Sequence, residues 1–177
     1  MTINQKISAG ANPPYDINVV IEIPAHCDPV KYEIDKTTGI LRVNRFMATA
    51  MHYPCNYGYL PQTLSSDKDP VDVLVITPFP VLGNTVICCR PIGLLKMQDE
   101  AGQDNKVLAV PNDDLTELYQ HIKAPQDLPK TQIYSIRHFF EHYKDLEANK
   151  WVKVEGWFDK ESAYEEIMSG IDRFSGH

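Results

Sequence analysis

The sequence predicts an α+β fold, mainly β with α, in which a closed or partly closed barrel carries helices on its outside. Short β-branched runs crowd the first two-thirds of the chain, Pro and Gly separate them, and helical apolar spacing begins only in the last third. The 177 residues are 43% hydrophobic and 23% charged, which supplies a core and argues against disorder, so one domain over 1–177 is expected.

The strand runs are INVVIEI at 17–23, VKYEI at 30–34, ILRVNRF at 40–46, VDVLVIT at 71–77 and TVICCRPIGLLKM at 85–97. KVLAV at 106–110 and WVKVEGWF at 151–158 complete the set. A first helix is expected over 114–122, capped by Asn112 or Asp113. In 131–146 a second is marked by Ile133, Ile136, Phe140 and Tyr143 at helical spacing. A third follows Asp159, a suitable N-cap, with Ala163, Ile167, Ile171 and Phe174 as its apolar stripe.

No run of about 18 apolar residues occurs, so no membrane span is expected. The opening MTINQKISAG is polar and lacks the apolar stretch of a signal peptide. Cys27, Cys55, Cys88 and Cys89 show no CxxC spacing, which suits free thiols in a reducing cytoplasm. The net charge of −7 argues against a general nucleic-acid binder. For any anionic substrate it demands bound cations or a local basic cluster.

Polar residues inside the strand runs are the first candidates. Glu22 interrupts VVIEI, and a carboxylate there must meet a cation or line a wet cavity. Lys31 and Glu33, at i and i+2, face the same way, and Arg42 and Arg45 lie in the next run. A solvated sheet face explains that pattern equally well. Asp67, Asp69 and Asp72 then place three carboxylates within six residues ahead of an apolar strand. Such neighbours repel by roughly 1 kcal/mol or more per pair, a cost that a divalent cation removes. Oxygen-only ligands point to Mg²⁺, Ca²⁺ or Mn²⁺, although Asp, Lys and Pro are also ordinary turn residues. Asp99 and Asp104 flank a Gly-containing turn and could add oxygens, with Lys106 nearby.

Two other patterns compete. His138, Glu141 and His142 match H-x-x-E-H, but Phe139 and Phe140 between them indicate a packed helix instead of a zinc site. Tyr53, Tyr57 and Tyr59 could stack nucleic-acid bases, but no basic stripe accompanies them.

At 67–73, DKDPVDV resembles the signature of family I soluble inorganic pyrophosphatases of the bacterial type. IEIP, KYEID, YPCNYGY, RPIGLLKMQDEAG, HFFEHYKDL and KWVKVEGW extend the resemblance in order along nearly the whole chain. It implies an OB-like five-stranded β-barrel with flanking helices. It also implies an Mg²⁺-dependent inorganic diphosphatase, in which metal-activated water attacks in line without a covalent intermediate. Several Mg²⁺ ions per subunit are implied, with Mn²⁺ as a substitute. Matched by motif, Asp67, Asp72, Asp99 and Asp104 resemble the metal ligands, with Glu22 a further acidic contributor. Asp69 matches the general base. Lys31, Arg45, Tyr57, Lys106, Tyr143 and Lys144 match positions that hold the phosphates, and Glu33 and Tyr53 match positions that line the site. Lys68 departs from the pattern, which carries a small or polar residue there. Inorganic diphosphate is the implied partner, with no nucleic acid or membrane. A homohexamer follows by resemblance, with His138 and His142, on one helix face, near the subunit interface. The alternative is a non-enzymatic OB-like barrel with a structural divalent-metal site that binds single-stranded nucleic acid. That module would need a basic groove, whereas this sequence clusters carboxylates.

Overall fold

The computed structural model describes residues 6–35 and 37–176. Strands β1 (Ile17–Ile23), β2 (Val30–Ile34), β3 (Leu41–Phe46), β4 (Asn56–Tyr59), β5 (Asp72–Val75), β6 (Thr85–Asp99), β7 (Gly102–Gln103) and β8 (Lys106–Pro111) come first. Helix α1 (Lys130–His142), strand β9 (Val152–Phe158) and helix α2 (Lys160–Ser175) follow.

The 15 residues of β6 organise the sheet. The first part of the strand pairs with β1, the middle with β8 and the end with β9. The order β1–β4–β5–β8–β6, with β6 returning to β1, closes five strands into a ring. This is the expected OB-like five-stranded arrangement. All its pairings are antiparallel except β5 with β8. β2 and β3 form a separate two-stranded hairpin.

Strand alternation explains why VDVLV reads as an unbroken apolar run. Val73 and Val75 enter a core shared with Ala163 and Ile167 of α2, while Leu74 enters a second core with Ile136, Phe139 and Phe140 of α1. Both faces of β5 are therefore covered. Gly58 marks a close approach between strands, since a Cβ there would sit 2.1 Å from the Val20 carbonyl oxygen.

The helix expected over 114–122 does not form. In its place stands one 3₁₀ turn, Glu117–Tyr119, capped by Thr116 and not by Asn112 or Asp113. Leu115 and Leu118 are exposed and only Ile122 of the segment is buried, too little apolar surface to support a helix. Arg90 donates to the Tyr119 and Ile122 carbonyls and fixes the segment as a loop. The helix expected over 131–146 ends earlier, with Tyr143 as its C-cap. β4 was not read from the sequence. Asp159 caps α2 as expected, accepting from the Ser162 amide at 3.0 Å. Among the described residues, no helix is long and apolar enough to cross a membrane.

Candidate active site

The mouth of the ring, the β2–β3 hairpin and the segment after α1 enclose a cavity of about 590 Å³. That size accommodates a small ligand. A cleft of about 40 Å³ beside it shares Asp67, Asp72 and Asp104.

Each wall contributes by its local geometry. In the hairpin, Lys31 Nζ lies 2.7 Å from Glu33 Oε1, as their i, i+2 spacing requires, and Glu33 also accepts from Asn44 at 2.8 Å. Arg45, on the paired strand, reaches the cavity and forms an ion pair with Glu147. On β1, Glu22 is 8% exposed and accepts the Ile34 amide at 2.7 Å. Burial pushes its carboxyl up to about 8; the Ile34 amide opposes this, and the Asp72 and Glu33 charges add to it.

The loop before β5 brings Asp67 and Asp69 to the cavity. Asp67 Oδ1 accepts the Asp69 amide at 3.0 Å, and the Asp69 carbonyl accepts the Ser65 amide at 2.7 Å. Lys68 between them adopts φ of +73°, a left-handed conformation that costs a non-glycine residue energy, and its side chain is exposed.

Parallel pairing sets Asp72, the first residue of β5, beside Lys106, the first of β8. Lys106 is 2% exposed, and its ammonium lies 2.6 Å from Asp72 Oδ2, against Asp104 Oδ1, and 3.4 Å from the Tyr57 hydroxyl. Burial works against the Lys106 charge, but Asp104 and Asp72 together hold its pKa above the ordinary lysine range. Burial also raises Asp104, with Lys106 opposing and Asp72 adding to the rise. For Tyr57, burial and the neighbouring Asp72 and Asp104 push the phenol well above its ordinary value.

On the remaining wall, Lys144 Nζ lies 2.6 Å from Asp99 Oδ2 and 3.4 Å from Glu100. Despite burial, the Lys144 contact holds Asp99 below the usual carboxylate range. Tyr143 and Tyr53 line the cavity with their rings packed against Phe139. Of the tyrosines that could stack bases, Tyr53 and Tyr59 are buried and Tyr57 is only partly exposed, so Tyr53, Tyr57 and Tyr59 form no exposed platform. The cavity thus brings together every residue that the resemblance gave a site role, whereas Arg42, the other early candidate, lies outside it and pairs with Asp35. Gln62, Gln103, Asn44 and Lys150 also line it, and no sequence pattern distinguished them.

His138 and His142 lie apart from the cavity lining, ring against ring at 4.6 Å on α1. His142 Nδ1 meets Asp145 at 2.7 Å and Glu141 pairs with Arg137, so the H-x-x-E-H pattern is an ordinary helix surface.

The cavity's acids suit a hard divalent cation. Their donors are all oxygen, and the Asp72 charge raises Glu22 while Asp72 and Asp99 raise Asp104, a repulsion that a cation relieves. Among the described residues, no three metal-ligating groups converge as a ready-made cage; Asp72 and Asp104 turn to Lys106 instead.

Residues 19–175 match the family model described as inorganic pyrophosphatase. The inorganic pyrophosphatase of Yersinia pestis is 61% identical over 173 residues, 98% of each chain. That of Escherichia coli K12 is 60% identical over 167 residues, 94% of this chain and 95% of the relative. Among solved structures, the protein from Anaplasma phagocytophilum, titled an inorganic phosphatase, superposes with a TM-score of 0.93 at 50% identity, covering 96% of this chain and 99% of that one. The Thermus thermophilus inorganic pyrophosphatase gives 0.91 at 40% identity, covering 98% and 99%. With this cavity, this closed five-strand ring and these relatives across nearly its full length, the chain belongs to the inorganic pyrophosphatase family.

Proposed function

We propose that the chain, as a single domain over 1–177, hydrolyses inorganic diphosphate to two orthophosphates in this cavity, using Mg²⁺. The observation that carries the reading is the interleaving of acids and cations around one cavity, with Lys106 clamped between Asp72 and Asp104. Asp67, Asp72, Asp99, Asp104 and Glu22 are the residues that would hold the metal, several Mg²⁺ ions or Mn²⁺ in their place. When bound, such ions neutralise diphosphate and make coordinated water more acidic.

The chain's own groups do the rest. Asp69 accepts the proton of the attacking water. Lys31, Arg45, Lys106 and Lys144 balance charge on the two phosphates, and the Tyr57 and Tyr143 hydroxyls donate to phosphate oxygens. Burial keeps both phenols protonated and so able to donate. Glu33 orients Lys31 through their ion pair, and Tyr53 packs behind the site. Water attacks in line and no covalent intermediate is required. A binding module for single-stranded nucleic acid is disfavoured, because the tyrosines are buried against α1 and carboxylates line the cavity.

The four cysteines are free, which supports the cytoplasm as the site of action. A homohexamer, with His138 and His142 near its interface, completes the reading. Phosphate release from diphosphate tests the activity. Release that appears with Mg²⁺ and disappears with EDTA is expected; none above the enzyme-free blank overturns the reading.

A further inference from the structure

The hairpin that carries Lys31, Glu33 and Arg45 is poorly buried. Its strands β2 and β3 pair only with each other, Val43 is 51% exposed and Phe46 is 79% exposed. Most of its side-chain ion pairs stay within it: Lys31 with Glu33, Arg42 with Asp35. A surface ribbon of this kind does not fix a long side chain by packing.

Carboxylates tie it down at two places. At one end Glu22 accepts the Ile34 amide. On the other side, Glu147 accepts from Arg45 Nη1 across 102 residues of sequence. Glu147 sits in the turn after α1, where its amide donates to the Lys144 carbonyl at 2.9 Å. The turn begins at Tyr143 and Lys144, both buried and both in the cavity wall. Its side chain is 13% exposed and that of Arg45 26%, so the pair is shielded from water. Lys150, half-exposed, shares the same oxygen at 3.1 Å. Arg45 lines the cavity and Glu147 does not.

We propose that Glu147 is a positioning residue for hydrolysis, joining the β2–β3 hairpin to the segment of Tyr143 and Lys144 so that the Arg45 guanidinium is held toward the phosphates. This role rests on Arg45 holding a phosphate, as proposed above. A free arginine samples many rotamers and must be ordered when the substrate binds, whereas one fixed by a shielded carboxylate is already aimed. Charge and position act in opposite directions here. A carboxylate beside the phosphates repels them, so its loss alone would tighten binding. Loss of aim instead lowers turnover.

That opposition supplies the test. With Mg²⁺ and diphosphate, Glu147→Gln is expected to lower kcat about 10–100-fold while KM stays level or falls. Glu147→Asp, which keeps the charge, is expected to recover part of that loss. In an Arg45→Gln background, adding Glu147→Gln is expected to change kcat less than twofold, because Glu147 acts through Arg45. Thermal unfolding of each variant reports the folded fraction, and kcat is expressed per folded enzyme. The proposal is overturned if Glu147→Gln keeps kcat within twofold, or if it costs as much in the Arg45→Gln background as alone. Should Glu147→Gln not fold, the same comparisons made with Glu147→Asp decide the matter. If Arg45→Gln itself leaves kcat/KM within twofold, the phosphate-holding role of Arg45 is wrong, a result distinct from failure of Glu147 alone.

Discussion

Glu22 offers the sharpest test of the site's electrostatics. Its carboxyl is 8% exposed and raised to about 8 from an ordinary value of 4.5, first by burial and then by Asp72 and Glu33. An acid whose folded pKa exceeds its unfolded one makes folding favourable below the unfolded value, and that contribution is lost as pH rises through the folded value. Stability attributable to Glu22 is thus fully present below about pH 4.5 and lost between there and about pH 8. The gap of about 3.5 units, at roughly 1.4 kcal/mol per unit, bounds the loss at about 5 kcal/mol. Glu22→Gln keeps an oxygen for the Ile34 amide and removes the titration. In EDTA, urea unfolding of wild type and variant is expected to agree near pH 4.5. By pH 9 the variant is expected to be more stable by about 2–5 kcal/mol. Mg²⁺ at pH 9 favours the wild-type carboxylate and is expected to shrink or reverse that difference. A difference that stays within about 0.5 kcal/mol from pH 4.5 to 9 in EDTA would refute the reasoning.

Three further outcomes are expected. Asp69→Asn keeps the shape but cannot take a proton, so kcat is expected to fall about 10²–10⁴-fold with little change in metal binding; activity within threefold of wild type removes Asp69 from that role. Lys68→Gly relieves the left-handed strain at φ +73°, worth roughly 1 kcal/mol less the added chain entropy of glycine, and is expected to retain catalysis. Lost activity in a folded Lys68→Gly protein would contradict the outward orientation of this side chain. The proposed homohexamer, with His138 and His142 near its interface, is expected to sediment as a multimer at pH 7–8; a wild-type monomer at pH 8 by sedimentation velocity sinks that reading.

What could be read from the sequence was what depends on local chemistry. The runs of β-branched residues became strands within a residue or two, and Asp159 capped α2, because alternation and capping are short-range effects. Asp67, Asp69 and Asp72 declared themselves by their mutual repulsion. Tertiary contacts hid the rest. NYGY forms β4 because Gly58 lets the Val20 carbonyl approach, and a glycine inside a short run signals a turn until its neighbour is known. Residues 114–122 have helical spacing, but of their apolar stripe Leu115 and Leu118 stay exposed and only Ile122 is buried. Glu147 lies 102 positions from Arg45, and nothing local marks it.

The same distinction explains how an acidic chain of net charge −7 serves a polyanion. Composition counts the carboxylates, whereas the fold decides which of them remain available to repel a phosphate. Parallel pairing of β5 with β8 puts the Lys106 ammonium between Asp72 and Asp104, and the end of β6 puts Asp99 against Lys144. Each lysine stays charged despite burial because its carboxylates hold the proton on. Each carboxylate is in turn partly neutralised by a group that also faces the cavity. These walls are therefore sets of paired charges, within a lining that still carries more carboxylates than cations. A polyanion that brings divalent cations meets acids suited to the cations and lysines suited to the phosphates. Neither set could be buried so deeply without the other.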